Sequence, residues 1–149
     1  MLLILPHAFS FPYRIMLYGS MRQVIPYVVT LLAFVAMDAI WLTLTGGIYR
    51  DQLSALLAPQ VRWEAAVLFY LLQVLWIQIF VLPRATKPAG AFAFGAGFGI
   101  FTYATYDLTN LSILKYFTYS LTAMDIVWGA IVTGTASLAG YFAVKFMEK

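Results

Sequence analysis

Three aspartates stand in stretches of this chain that otherwise belong in lipid. Asp38 interrupts the apolar run 24–45, Asp107 closes the glycine-rich run 89–106, and Asp125 falls early in the run 121–142. A charged side chain near the centre of a bilayer costs roughly 2.5–3.5 kcal/mol on insertion scales, so such residues are rare and face a bundle interior or a cavity. Paired carboxyls in a dry site can hold one proton between them, which suits general acid–base work. Their oxygens, with Asn110, would also suit Mg²⁺, Ca²⁺ or Na⁺ as a lesser variant. The structural alternative stands beside both: an aspartate hydrogen-bonded to Trp, Tyr or Thr pins helices together.

The neighbours of each acid follow helical spacing. Tyr103, Tyr106, Asp107 and Asn110 fall at i, i+3, i+4 and i+7, one stripe if the helix continues past Asp107. Thr122, Asp125, Trp128 and Gly129 share a face, as do Asp38, Trp41, Leu42 and Thr45. Asp-x-x-Trp therefore occurs twice, on helices expected to run in opposite directions, and no longer repeat accompanies it. The candidate acid–base or anchoring groups are Asp38, Asp107 and Asp125. Tyr103, Tyr106, Asn110, Trp41 and Trp128 are the candidate ligand-binding wall. Asp107-Leu-Thr-Asn110 also reads simply as one helix end followed by the cap of the next. Glu64 beside Arg62 reads as an interfacial ion pair or cap. Trp63, Tyr70 and Gln73 share a face, and Gln73 and Gln78 are expected to make interhelical hydrogen bonds.

What must position these residues follows from composition. Of 149 residues, 63% are hydrophobic and 10% charged, with a mean hydropathy of +0.86. A soluble domain of this size could not bury that much apolar surface. Four runs approach the ~20 residues that a crossing needs: 24–45, 63–82, 89–106 and 121–142. The third is the shortest, and tilt or continuation past Asp107 would complete it. Unbroken runs exclude the alternating strands of a membrane barrel. The expected fold is all-α: an integral membrane four-helix bundle forming a single domain over 21–149. In the first outer loop, Leu53, Leu56 and Leu57 at helical spacing, with Pro59 as a stop, predict a short amphipathic helix. The apolar segment 111–120, with Tyr116, Phe117 and Tyr119, suits the headgroup region and could form a lid over the acids. Residues 1–20 are a poorly defined extension with two prolines and no basic start, a poor signal peptide. Met21-Arg22-Gln23 reads as a natural beginning, so the extension is expected to be a mis-assigned start or an interfacial tail.

Charge fixes the expected orientation. Arg14, Arg22, Arg84, Lys87, Lys145 and Lys149 fall on one side and Arg50, Arg62 and Lys115 on the other. The positive-inside rule then puts both N and C termini in the cytoplasm. Asp38, Asp51, Glu64, Asp107 and Asp125 all fall in the outer half or beyond it. By rise per residue, Asp38 lies about 10 Å below the outer end of its helix and Asp125 about 6 Å.

Several functions are excluded or weakened. With no cysteine there is no disulfide, thiol nucleophile or iron–sulfur ligation. His7, the only histidine, precedes the first span, so the bundle has no histidine ligands for haem or di-iron. No cofactor is expected, and the scattered basic residues make no nucleic-acid surface. Gly95-x-Gly97-x-Gly99 lies inside an apolar span and is not a dinucleotide fingerprint. Ala91, Gly95 and Gly99, and likewise Gly129, Thr133, Ser137 and Gly140, form small-residue ridges for close helix packing. That packing is expected within the protomer or in a homodimer through Gly95/Gly99 or Gly129/Gly140.

The stretch Tyr103-Ala-Thr-Tyr-Asp-Leu-Thr-Asn-Leu111, followed by Asp125-Ile-Val-Trp-Gly129, resembles the domain of unknown function 2177 family of small bacterial predicted membrane proteins. Asp38 with Trp41-Leu42, Tyr49, Leu56-Leu57, Ala65-Ala66 and Phe69-Tyr70 fit the same resemblance, which runs from about Arg22 to the C-terminus. It implies a multi-pass protein of the bacterial inner membrane and brings no activity with it. From the residues themselves, the expected function is a pocket for a small or lipid-like molecule, open to the outer leaflet. The alternatives are a proton-coupled transporter acting as a dimer and a non-catalytic accessory or assembly subunit.

Overall fold

The computed structural model describes residues 21–149, and the expectations attached to residues 1–20, including His7 and Arg14, lie outside the described residues. Four helices follow one another: α1 (Met21–Leu53), α2 (Trp63–Trp76), α3 (Pro88–Ile113) and α4 (Tyr119–Met147). α2 runs on through a π-helical turn, Ile77–Val81, and a 3-10 turn, Leu82–Arg84. No strand occurs among the described residues. Three helical stretches, 23–53, 63–84 and 119–147, are long and apolar enough to cross a membrane. α3 has 26 residues, but its glycines, threonines and tyrosines make it less apolar than the other three.

The helix limits have local causes. Pro88 opens α3 at a position where its missing N–H is not needed. Thr118 caps α4, its hydroxyl accepting from the Leu121 N–H at 3.2 Å. Pro83 sits in the 3-10 turn that ends the second hydrophobic stretch. Two limits differ from the sequence expectation. α1 does not stop near Thr45; it continues through Gly46 and Gly47 to Leu53. The separate amphipathic helix expected in the first loop is therefore replaced by an extension of α1 and a turn. α3 likewise continues past Asp107 to Ile113, so Asp107 is a helix-interior residue and neither Thr109 nor Asn110 caps α4. In both places the regular helix satisfies every backbone group internally, the strongest demand that a lipid surrounding makes.

Glycine sets how closely α3 and α4 approach. A Cβ on Gly99 would overlap the Gly129 carbonyl, one on Gly95 would overlap Ser137, and one on Gly129 would overlap the Tyr103 ring. Gly140 meets the Thr30 side chain of α1 in the same way. The glycine ridges are thus used for close packing inside the chain. Phe34, Val74, Ile77, Val81, Val132 and Ala136 complete this core. Gln78, within the π turn, donates to the Thr30 hydroxyl (3.0 Å), and Thr30 donates to the Pro26 carbonyl (2.7 Å). Gln73 donates to Thr102 on α3 (3.2 Å), so both glutamines make the interhelical bonds expected of them. Outward, Val67, Leu68, Leu71, Leu72 and Leu75 of α2 remain exposed, an apolar face suited to lipid.

Candidate functional site

The acids meet at the end of the bundle where α1 and α3 finish and α4 begins. Asp38 is almost fully buried and serves as a hub. Its Oδ2 accepts from the Tyr70 hydroxyl of α2 (2.7 Å) and its Oδ1 from Trp128 Nε1 of α4 (2.9 Å). One carboxylate therefore joins three helices. Asp125 accepts from the Tyr49 hydroxyl, which in turn receives Trp41 Nε1 at 3.3 Å. Tyr49 lies eleven residues beyond Asp38 on the same helix. It is brought toward the cluster because α1 continues past Gly46 and Gly47 and because helical side chains lean toward the N-terminus. Trp41 and Trp128, the two Asp-x-x-Trp tryptophans, stack face to face at 4.5 Å between ring centroids and 3° between planes. The repeated motif has a physical meaning: each tryptophan comes from one of two antiparallel helices, and together they form one wall.

Asp107 is different. Its relative exposure is 0%, and neither carboxyl oxygen has a hydrogen-bond partner among the described residues. Asn110 Nδ2, one turn along α3, and Thr122 Oγ1 on α4 are buried without partners as well. The α3–α4 register explains the grouping. Gly95 meets Ser137, Gly99 meets Thr133, and Tyr103 meets Gly129. Continued along antiparallel helices, this register sets Asp107 opposite Asp125 and Asn110 opposite Thr122. Leaving a buried polar group unpaired costs about 1–3 kcal/mol, and more for a charged one. The remainder of the fold must supply that energy.

A cleft of about 310 Å³ lies between these groups, at the lower end of the range for small-molecule sites. All four helices line it. Asp38, Trp41, Leu42 and Tyr49 come from α1, Phe69 from α2, Thr102, Tyr103, Tyr106 and Asp107 from α3, and Asp125 and Trp128 from α4. Of the sequence-derived candidates, only Asn110 is not in the lining. Tyr106 is largely exposed at its margin, where its ring meets Phe117 edge-on at 6.4 Å. Phe117 is buried, and Thr118 beside it donates to Gln52 at the end of α1 (2.9 Å). The 111–120 segment thus reaches the cleft margin through one side chain, Phe117, and is tied down next to it. Glu64 is exposed at the start of α2 and forms no ion pair; the second helix contributes Phe69 and Tyr70 to the cluster instead. Trp63 is also exposed, unlike Tyr70 and Gln73 with which it was grouped.

Tyr49, Phe69, Tyr70 and Thr102 are the residues that spacing alone did not mark as part of the site. Tyr70 had one signal, its i, i+3 relation to the buried Gln73. Tyr49 had none within its own helix turn. Among the described residues, no three His, Cys, Asp or Glu side chains are arranged to hold one metal ion. The cation variant therefore gains nothing from the geometry.

Trp41 and Trp128 also line a second hollow, almost wholly apolar, together with Ala123, Met124, Val127 and Ile131. The same two rings thus belong to both the cleft with the aspartates and a hollow without them. A family profile described as "Predicted membrane protein (DUF2177)" matches residues 23–142. The chain belongs to the DUF2177 family. The match takes in Asp38, Asp107 and Asp125, Trp41 and Trp128, and Tyr49 and Tyr70. No curated protein and no solved structure matches the chain. Its membership makes it a membrane protein, in agreement with its long apolar helices.

Proposed function

We propose that this DUF2177 protein crosses the bacterial inner membrane four times, with both termini cytoplasmic, and binds a small or lipid-like molecule in the acidic–aromatic cleft. The observation that carries the reading is Asp107, a wholly buried carboxyl without a partner among the described residues, beside a cleft walled by aromatic rings. A group retained at such a cost to stability is the usual mark of a site rather than of a brace. The adjoining apolar hollow favours an amphiphile, its polar part in the cleft and its chain along Met124, Val127 and Ile131. The orientation rests on the charges: Arg84, Lys87, Lys145 and Lys149 belong to one end of the bundle, and Arg50, Arg62 and Lys115 to the other.

The proton-coupled transporter is the weaker reading. Below the cleft, Gly95, Gly99, Thr133, Ser137 and Gly140 close the interior by direct helix contact, which leaves little room for a path through one copy. Deleting the gene and comparing total lipid and small-molecule extracts tests the proposal. A change restored by the wild type but not by Asp107→Asn supports it, whereas full rescue by Asp38→Asn, Asp107→Asn and Asp125→Asn alike argues against it. The absence of cysteine makes topology directly measurable. Single-cysteine variants Lys115→Cys and Lys87→Cys should be labelled by an impermeant maleimide in intact spheroplasts and only after lysis, respectively.

A further inference from the structure

The cleft has a charge character as well as a shape. Of its eleven lining residues six are aromatic, three are aspartates and none is basic, so nothing in it would neutralise a phosphate or a carboxylate. Among the described residues the only ion pair is Lys145–Glu148, which is exposed at the end of α4. Among the described residues the three aspartates therefore have no cation partner. They differ in what they still need. Asp38 already holds two donors, Asp125 holds one, and Asp107 holds none on either oxygen.

We propose that the cleft recognises a primary ammonium group, carried by a free alkylamine or by an amine-bearing lipid headgroup, with Asp107 as its acceptor. The inference rests on the cleft being a ligand site at all, as proposed above. A primary ammonium brings three donors and one positive charge, matching two unpartnered carboxylate oxygens in a recess without basic side chains. The surrounding rings add to the match. Trp41, Trp128, Tyr103, Tyr106 and Phe69 offer the negative faces that attract organic cations, and attraction of this kind strengthens when the site is desolvated. A bare metal ion gains less, because such ions need several oxygen ligands at once and no three acids here converge on one point. A neutral alcohol can donate a single hydrogen bond and carries no charge. An anion would meet three carboxyls and no cation. The apolar hollow that shares Trp41 and Trp128 with the cleft gives the alkyl chain of such a ligand a place to lie.

The test is calorimetric titration of the whole protein in nanodiscs with octylammonium, octanol and octanoate, empty nanodiscs being subtracted. These probes share one chain and differ only in the head. The proposal expects octylammonium to bind at least about tenfold more tightly than octanol, with octanoate weakest. Asp107→Asn should reduce that preference to about twofold or less while still binding the chain, and Asp107→Glu should retain part of it. Equal binding of all three probes overturns the ammonium assignment and leaves the amphiphile site standing. Binding of none of them overturns both. An unchanged preference in a folded Asp107→Asn protein also rejects the assignment. If octylammonium is preferred, competition by nanodiscs rich in phosphatidylethanolamine, with phosphatidylglycerol as control, upholds it with a headgroup as the source. Lack of competition upholds it with a free amine as the source.

Discussion

The two ends of the bundle solve opposite problems. At the end holding Gly95, Gly99, Ser137 and Gly140, small residues let helices touch, and the interior closes on backbone and short side chains. At the other end, Asp38 and Asp125 tie the helices around a cleft of about 310 Å³ that Trp41, Trp128, Tyr103 and Asp107 also line. Lipid supplies no hydrophobic drive for helices to associate, so packing of small residues and interhelical hydrogen bonds must do it. The first end uses packing, while the second uses the hydrogen bonds of Asp38 and Asp125. Asp107 takes part in neither device. The difference teaches that a buried acid in this chain is not one kind of residue: two accept hydrogen bonds from other helices, and one has no partner among the described residues.

Substitutions can break that comparison, and the largest effect is expected at the closed end. Gly99→Leu should abolish the folded protein, since even a Cβ there overlaps the Gly129 carbonyl of a facing helix that cannot yield locally. Gly99→Ala should lower stability by about 1–3 kcal/mol, the usual range for overpacking. Size-exclusion profiles and melting temperatures in mild detergent would show both, and a wild-type melting curve for Gly99→Leu would overturn the account of the α3–α4 contact. Asp38→Ala comes next. It leaves the Tyr70 hydroxyl and Trp128 Nε1 without their acceptor, and interhelical hydrogen bonds in membranes average about 0.6 kcal/mol with a maximum near 1.7. Two such bonds give an expected loss of about 1–3 kcal/mol. Trp128 also reports on itself, because its fluorescence should change when its indole loses the carboxylate.

Asp107→Asn should move the other way. Replacing a carboxyl that no group among the described residues answers should raise stability by about 1 kcal/mol, at the low end of the penalty for an unsatisfied buried group, since the amide is still polar. Equal destabilisation of Asp38→Asn and Asp107→Asn would erase the distinction between brace and site. That distinction was not legible in the sequence. Three acids at one end of a four-helix arrangement followed from counting residues along apolar runs, and helical spacing collected Trp41, Trp128, Tyr103 and Tyr106 around them. Spacing acts within one helix, however, and partnership is decided between helices. Tyr70 reaches Asp38 only through the α1–α2 register, and Tyr49 reaches Asp125 only because α1 passes through Gly46–Gly47 without breaking. A two-glycine step reads as a turn in water, where the freed backbone could be solvated; next to lipid the helix is the cheaper state. The same reasoning carried α3 past Asp107 and turned an apparent helix end into an interior carboxyl.

The smallest effect is expected two residues from the largest. Gly97 lies between Gly95 and Gly99 in sequence, yet a Cβ there meets nothing within 4 Å. Gly97→Ala should therefore leave the melting temperature almost unchanged, or raise it slightly through the roughly 0.5–1 kcal/mol by which alanine is the better helix former. The pair separates two explanations of a glycine-rich helix. If α3 needs glycine for pliancy, Gly97→Ala and Gly99→Ala should be about equally harmful, because each removes one flexible residue from the same turn. If α3 needs glycine only where α4 presses on it, the damage should follow the face and fall on Gly95 and Gly99 alone. A clear loss of stability in Gly97→Ala would favour pliancy. It would also mean that the closed end bends, and the contrast with the cleft end would then be one of degree.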